Sequence, residues 1–315
     1  MPHPAPPLDG APPPGRLVAT VALRNARRRR GQLLKDVPKL LAGTPPHAAS
    51  PPTRPAALLD PDGSAARAHR EPAISISTVS RMERGTYPLE PAVIRQLLLN
   101  RYGVGAEEAR AVLHLLGHED AEWSVDTVHD AGPGWYERLA ACERVATAIR
   151  WYDVTCVPRI LQTPAYNAAL LWMDPEIADH NRALPPEHAE RVTALLDYMI
   201  LERPIGGPVV MAEQLRHLLD LEVQGARLRI VPNGGPPVWE WGQISEMAVY
   251  GQLLYAMEAI RVTYCTGPDA GGLRAAVLDT VEAAALSEDE SLHQIRTAAQ
   301  KFEDQTAGTA AEAGR

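Results

Sequence analysis

The sequence is poor in several residues and patterns that would otherwise point to a function. Cysteine is limited to Cys142, Cys156 and Cys265. An odd, scattered set of this kind excludes a disulfide framework and a cysteine zinc site and fits reduced structural thiols. No apolar run approaches the roughly 18 residues of a membrane helix. The opening "MPHPAPPLDGAPPPG" lacks the charged-then-apolar layout of a signal peptide, so a cytoplasmic protein without membrane contact is expected. The sequence also has no P-loop, G-x-G-x-x-G, G-x-S-x-G or H-E-x-x-H. "PIGGP" and "PNGGPP" read as turns rather than phosphate cradles, because no strand-to-helix crossover with a lysine follows them. His114 and His118 have the i, i+4 spacing of metal ligands, followed by Glu119 and Asp120. The helix is expected to end at Gly117, however, and no third ligand is within reach, so no metal is assigned. Trp239 and Trp241 alternate along a strand pattern and read as core or dimer packing. No residue set nominates itself for catalysis, and neither an enzyme nor a cofactor is expected.

The basic residues are unevenly placed. Residues 1–120 carry 16 Lys+Arg against 11 Asp+Glu, a balance of +5, while the rest carry 15 against 28, a balance of −13. A basic third on an acidic body is the layout of a nucleic-acid-binding module fused to a larger domain. A length of 315 residues with 45% hydrophobic content supports about two domains with a substantial core.

Along the chain, residues 1–16 read as a Pro-rich disordered leader. The spacing then predicts a helix over 17–31, with Val18, Val21, Ala22 and Ala26 near one face and Arg27–Arg30 at its C-terminus, where cations are favourable. A second helix, "QLLKDVPKLLAG", places Leu34, Val37 and Leu41 at helical spacing, is disturbed by Pro38 and stops at Gly43. Residues 44–73 read as a long flexible loop. Helices resume at Ser77, with Val93, Leu97 and Leu98 and then Ala109, Val112 and Leu116 as inward faces. Past 121 a strand is expected over 148–157. A helix capped by Thr163 with Pro164 at its first position follows. Further helices are expected over "EHAERVTALLDYMIL" and "GPVVMAEQLRHLLDLE", and strands in "ARLRIVPN", "EMAVYG" and "AIRVTYCTG". Ser287 with Glu290 forms a capping box that opens a last helix, and 304–315 read as a disordered tail. The expected fold class is α+β: an all-helical helix-turn-helix domain over 17–120 with a loop inserted at 44–73, then a helix and small-sheet domain over 121–303.

The stretch "ISISTVSRMERG" carries the most specific chemistry. With Ser77 taken as N-cap, Val79 and Met82 face inward, and Thr78 and Arg81 lie outward near the helix start. That is the end which enters a major groove in helix-turn-helix proteins. Ser and Thr bond bases or phosphates, and Arg pairs bidentately with guanine. Arg84 is placed for phosphate, and Glu83 for capping the helix or orienting Arg81. The expected DNA contacts are Ser77, Thr78, Ser80, Arg81 and Arg84, with Arg28, Arg29 and Arg30 of the Arg27–Arg30 run as a phosphate clamp.

These pieces, with "AIRWYDVTCVPRILQTPAYNAALL", "RPIGGPVVMAEQLRHLLDL" and "AALSEDESLHQIRTAA", resemble actinobacterial helix-turn-helix regulators of the Cro/repressor type (the xenobiotic-response-element class). These carry a large C-terminal domain of unknown function and are often described as antitoxin-like. "VPRILQTPAY" resembles the most recognisable signature of that C-terminal domain, with Arg159 where the family usually has Gly. The sequence departs from the family in the turn before the recognition segment, which is here some thirty residues instead of about four. The longer loop adds on the order of 2 kcal/mol of closure entropy and loosens the control of helix angle. A further strand-containing stretch that the family has between "ERVTALLDYMIL" and "ERPIGG" is also missing from the pattern. The resemblance implies a sequence-specific, dimeric, antitoxin-like DNA-binding regulator. Its C-terminal domain would respond to a ligand or to a small partner protein encoded nearby. The alternatives are an interaction module whose helix-turn-helix has decayed, and an enzyme hosted in 121–300.

Overall fold

The computed structural model describes residues 10–37, 74–117, 126–170, 185–234, 243–258 and 261–313. The expectations for Pro38, Leu41 and Gly43, the 44–73 loop, His118 and the Trp239/Trp241 pair lie outside these ranges. The chain is mixed α/β, with a helical N-terminal region against a seven-stranded sheet.

The N-terminal region begins with α1 (Pro14–Arg29), earlier than the sequence suggests because Pro13 and Pro14 fix an extended-to-helical entry. Part of the expected leader is therefore ordered, and Thr266 Oγ1 donates to Pro12 O at 2.9 Å. A single 3-10 turn, Leu34–Asp36, follows, with Val37 buried behind it. Next come α2 (Ile76–Met82), α3 (Pro91–Gln96, continued by a π turn to Arg101) and α4 (Ala106–Leu116). Ala19, Ala22 and Leu23 of α1 meet Val79, Met82, Ile94, Leu97, Val112 and Leu116 in one apolar cluster. Leu17, Val18 and Val21, on the other side of α1, belong to the core beneath the sheet.

The sheet order is β1-β7-β6-β5-β2-β3-β4. Strands β2 (Ile149–Asp153), β3 (Val192–Asp197) and β4 (Arg227–Val231) run parallel, and β5 (Gln243–Val249), β6 (Gln252–Glu258), β7 (Val262–Cys265) and β1 (Thr127–Asp130) continue antiparallel. One face, with Trp151, Ala194, Leu196, Ile230, Met247 and Leu254, is covered by α5 (Trp135–Val145), α8 (Gly207–Val223) and α10 (Glu288–Ala313). The other face, with Tyr152, Leu195, Ile244 and Tyr255, is covered by α9 (Gly272–Ala284) through Leu278 and Val281.

Several expectations are corrected here. The sheet is larger than the small one expected, since β1, β3 and β6 were not read. "VTALLD" was taken for helix but is β3, followed only by the short helix α7 (Tyr198–Glu202). The strand is buried on both faces, so its apolar residues run together rather than alternate, and the pattern mimics a buried helix. The strand expected over 148–157 ends at Asp153, whose Oδ1 accepts from Thr155 N and Oγ1, both at 2.7 Å, and turns the chain away. α10 continues to Ala313, through much of the expected tail, and its capping box is present as read: Ser287 N donates to Glu290 Oε2 at 3.0 Å.

The signature stretch locks on itself before α6 (Pro164–Ala169). Gln162 Nε2 donates to Val157 O at 2.7 Å, Val157 N donates to the Tyr166 hydroxyl at 3.1 Å, and Thr163 caps the helix by accepting from Tyr166 N. Gln214 of α8, fully buried, accepts from Thr163 N and donates to Leu161 O. At the start of α8, Gly206 has φ +73°, and a Cβ there would lie 2.8 Å from Ala169 and Val210, so glycine is required by both backbone and space.

Burial pushes the Asp153 carboxyl up to about 6, with the hydrogen bonds from Thr155 and Cys156 opposing. A folded-state value above the unfolded one favours the protonated form. Its stabilisation is therefore complete below the unfolded pKa and lost as pH rises through about 6. Asp153→Asn keeps the Oδ1 acceptor without the charge. In thermal unfolding it is expected to stabilise the protein at about pH 8, by up to about 3 kcal/mol, and to have little effect near about pH 4. An equal effect at both values would refute the assignment.

Candidate nucleic-acid interface

Helix α2 is short, so its seat depends on capping and on a few buried side chains. Its N-cap is Ser75 and not Ser77: Ser75 Oγ accepts from Thr78 N at 3.1 Å. The two serines are equally good caps by type, and Val79 and Met82 are buried as either cap would place them. Ser77 and Thr78 hydroxyls both bond Ser75 Oγ at 2.8 Å. The helix stops at Gly85, φ +72°, where Gly85 N donates to Met82 O and Thr86 N to Arg81 O, the paired bonds of a Schellman end.

Glu83 neither caps α2 nor orients Arg81. It is buried and takes a bidentate pair from Arg27 of α1, Nε to Oε1 and Nη2 to Oε2, both at 2.7 Å. Arg27 also donates to Gln32 O, and the hydrogen bonds to Glu83 hold its guanidinium above its ordinary pKa. Arg27 thus leaves the expected clamp and becomes the brace between α1 and α2.

The remaining candidates stay at the surface. Ser77, Arg81 and Arg84 are exposed, and Thr78 and Ser80 are half-buried. The guanidinium of Arg81 lies 4.9 Å from the centre of the Tyr87 ring, a contact that sequence reasoning missed. Stacking uses a guanidinium's face and leaves its N–H edge free to donate. Arg28, Arg29 and Arg30 are exposed on the last turn of α1. Because Arg27 touches Glu83, this turn and the C-terminal end of α2 lie side by side.

Arg29 and Arg30 also border a cleft of about 230 Å³ between α1, the α3–α4 turn and the start of α5. Arg29 reaches Glu108 only at 3.9 Å. Glu137 Oε1 accepts from Asn25 Nδ2 at 3.0 Å and from Arg144 at 2.7 Å. Burial pushes the Glu137 carboxyl up, but Arg144 and Asn25 outweigh it and hold the group below its usual range.

The body holds a second polar cluster. Arg159, where the resemblance places Gly, is buried and pairs with Glu143 at 2.7 and 2.5 Å, with Glu258 at 3.4 Å. Its guanidinium lies 4.7 Å from the Tyr136 ring and 5.7 Å from that of Trp151. Burial disfavours its charge, but Glu143 and Glu258 outweigh that and keep it protonated. The nearby Cys156 thiol is pushed up to about 12 by burial and by Asp153, which makes it a poor nucleophile at neutral pH. No group of three His, Cys, Asp or Glu among the described residues is placed to hold a metal ion. No helix among them is long and apolar enough to cross a membrane.

Residues 136–297, about half of the chain, match the family model described as Domain of unknown function (DUF5753). No curated protein and no solved structure matches the chain.

Removing one partner of a buried ion pair leaves the other charged and desolvated. Glu83→Gln is therefore expected to cost about 3–5 kcal/mol in urea unfolding, and Arg27→Met with Glu83→Leu to recover much of that loss. A single-variant cost below about 1 kcal/mol, the level of exposed pairs, would show that the pair does not hold α2 in place.

Proposed function

The chain belongs to the DUF5753 family, and from that premise we propose that it is a sequence-specific DNA-binding regulator of the helix-turn-helix type that reads a major groove with α2. The observation that carries this reading is the seat of α2. Val79, Met82 and the Arg27–Glu83 brace hold one side, and Ser77, Thr78, Ser80, Arg81 and Arg84 stand on the accessible side. Base reading falls to Thr78 and to Arg81, whose N–H edge suits guanine O6 and N7. Arg84 and the Arg28–Arg30 turn of α1 contact phosphates, which position the protein without specifying sequence.

One reading helix of about two turns covers a half-site. The protein therefore acts as a dimer on two half-sites about one helical turn of DNA apart, with the body supplying the dimer surface. The body also receives the signal, a small ligand or a small partner protein encoded nearby, in the antitoxin-like manner that the family resemblance implies.

Selection of bound genomic fragments followed by fluorescence anisotropy tests this. Arg81→Ala should cost about 1–3 kcal/mol on the selected site and relax preference at one position. Arg28→Ala should weaken all sequences alike and lower the salt slope by about 1. If folded protein selects no fragment, the helix-turn-helix is a relic and the chain is an interaction module.

A further inference from the structure

The cleft beside Arg29 and Arg30 has no part in reading DNA, yet it shares two cations with the phosphate-contacting turn. Its first wall is a single stripe of α1, Ala22, Asn25, Ala26, Arg29 and Arg30, at i, i+3, i+4, i+7 and i+8. The facing wall is the turn Tyr102–Gly105 with Glu108, and the floor is Glu137 and Arg138 of α5. Arg138 is committed to Asp130 at 2.6 Å and does not take part. The groups that remain are the guanidiniums of Arg29 and Arg30, the Glu108 carboxylate and one oxygen of Glu137, whose other oxygen is paired with Arg144 at 2.7 Å.

Their partners leave capacity on both sides. Arg30 forms no ion pair among the described residues and lies flat on Gly103, where a Cβ would come within 3.1 Å of its guanidinium carbon. Gly103, at φ +63°, admits that contact. Arg29 and Glu108 are 3.9 Å apart, too far for a hydrogen bond, with 54% and 34% of their side chains exposed. Both hydrogen bonds to Glu137 fall on Oε1. At about 230 Å³ the space is below the roughly 300–1,000 Å³ of drug-sized ligand sites.

We propose that this cleft binds a small zwitterion of the amino-acid class, its carboxylate on Arg29 and Arg30 and its ammonium on Glu108 and Glu137, and that bound ligand withdraws Arg29 and Arg30 from DNA phosphate. A simple anion would meet the two carboxylates, and a simple cation the two arginines, so a molecule carrying both charges fits the wall best. Ligand and DNA draw on the same guanidiniums, so each weakens the other by the same factor. The regulatory half rests on the DNA-binding reading, whereas the binding half does not.

Calorimetry on the full chain with each of the twenty L-amino acids, and with acetate and methylammonium as single-charge probes, tests the binding half. At least one amino acid should bind about tenfold more tightly than either probe, and Glu108→Gln and Arg30→Ala should each weaken it by about tenfold or more, as loss of a charged hydrogen bond does. Failure of every amino acid to outbind the probes, or binding unchanged in both variants, would overturn the site. Anisotropy on a selected DNA fragment tests the regulatory half. Saturating ligand should weaken DNA binding by roughly 5–150-fold, and Glu108→Gln should move the releasing ligand concentration up by its own loss of affinity. Ligand binding that leaves DNA affinity unchanged would overturn the coupling. Ligand binding by a protein that selects no DNA would overturn both the coupling and the proposed function, while the calorimetric site would stand.

Discussion

The arrangement depends on α1 being buried on two sides at once. "LVATVAL" is apolar nearly all round, as a helix without a solvent face must be. Leu17, Val18 and Val21 pack into the core beneath the sheet, and Ala19, Ala22 and Leu23 into the helical region. Helix α4 repeats this on a smaller scale, with Leu115 in one cluster and Val112 and Leu116 in the other. The two regions therefore share a rigid element, and neither can rotate against the other without exposing apolar surface at about 25 cal/mol per Å². The polar residues of α1 follow the same division. Arg24 donates to the Tyr250 hydroxyl at 3.1 Å at the tip of the β5–β6 hairpin, and Asn25 to Glu137 of α5. Arg27 goes to Glu83.

Among the described residues three arginine–carboxylate pairs are buried: Arg27–Glu83, Arg138–Asp130 and Arg159–Glu143. Such pairs add little net stability, because desolvation offsets most of the attraction. Their force lies in the asymmetry. A misplaced partner leaves an uncompensated charge costing about 3–5 kcal/mol, a large share of the roughly 5–15 kcal/mol that holds a domain folded. Each pair therefore excludes alternative packings of its elements more strongly than it stabilises the native one. For α2, with only two fully buried apolar side chains, that exclusion decides the seat.

What was legible in the sequence follows from how local the signal was. The Pro-initiated helix after Thr163 and the capping box of Ser287 with Glu290 were readable, since each rests on residues within one turn. So were the inward faces of α2 and α4, where one polar side preserves the helical period. Strands β3 and β6 were not, because burial on both faces removes the alternation that marks a strand. The Ser75 cap was missed because Ser75 and Ser77 are chemically equivalent as caps. Arg27–Glu83 and Arg159–Glu143 span 56 and 16 positions. No spacing rule links such residues, and "RRRR" gave no sign that its first arginine turns inward.

The brace also bears on the long segment between the first helices and α2. The segment between α1 and α2 is too long to fix the angle between them through the backbone, and its closure entropy grows only slowly with length. Here the angle is set through side chains instead. Val79 and Met82 enter the helical cluster, Glu83 meets Arg27, and the Schellman end at Gly85 aims the chain toward α3. All of these contacts lie outside residues 38–73. Loop-closure entropy does not depend on the accuracy required of α2, whereas the contacts that orient α2 are local to its seat. The exposed face of α2 therefore owes its direction to these contacts and not to the backbone that leads into it.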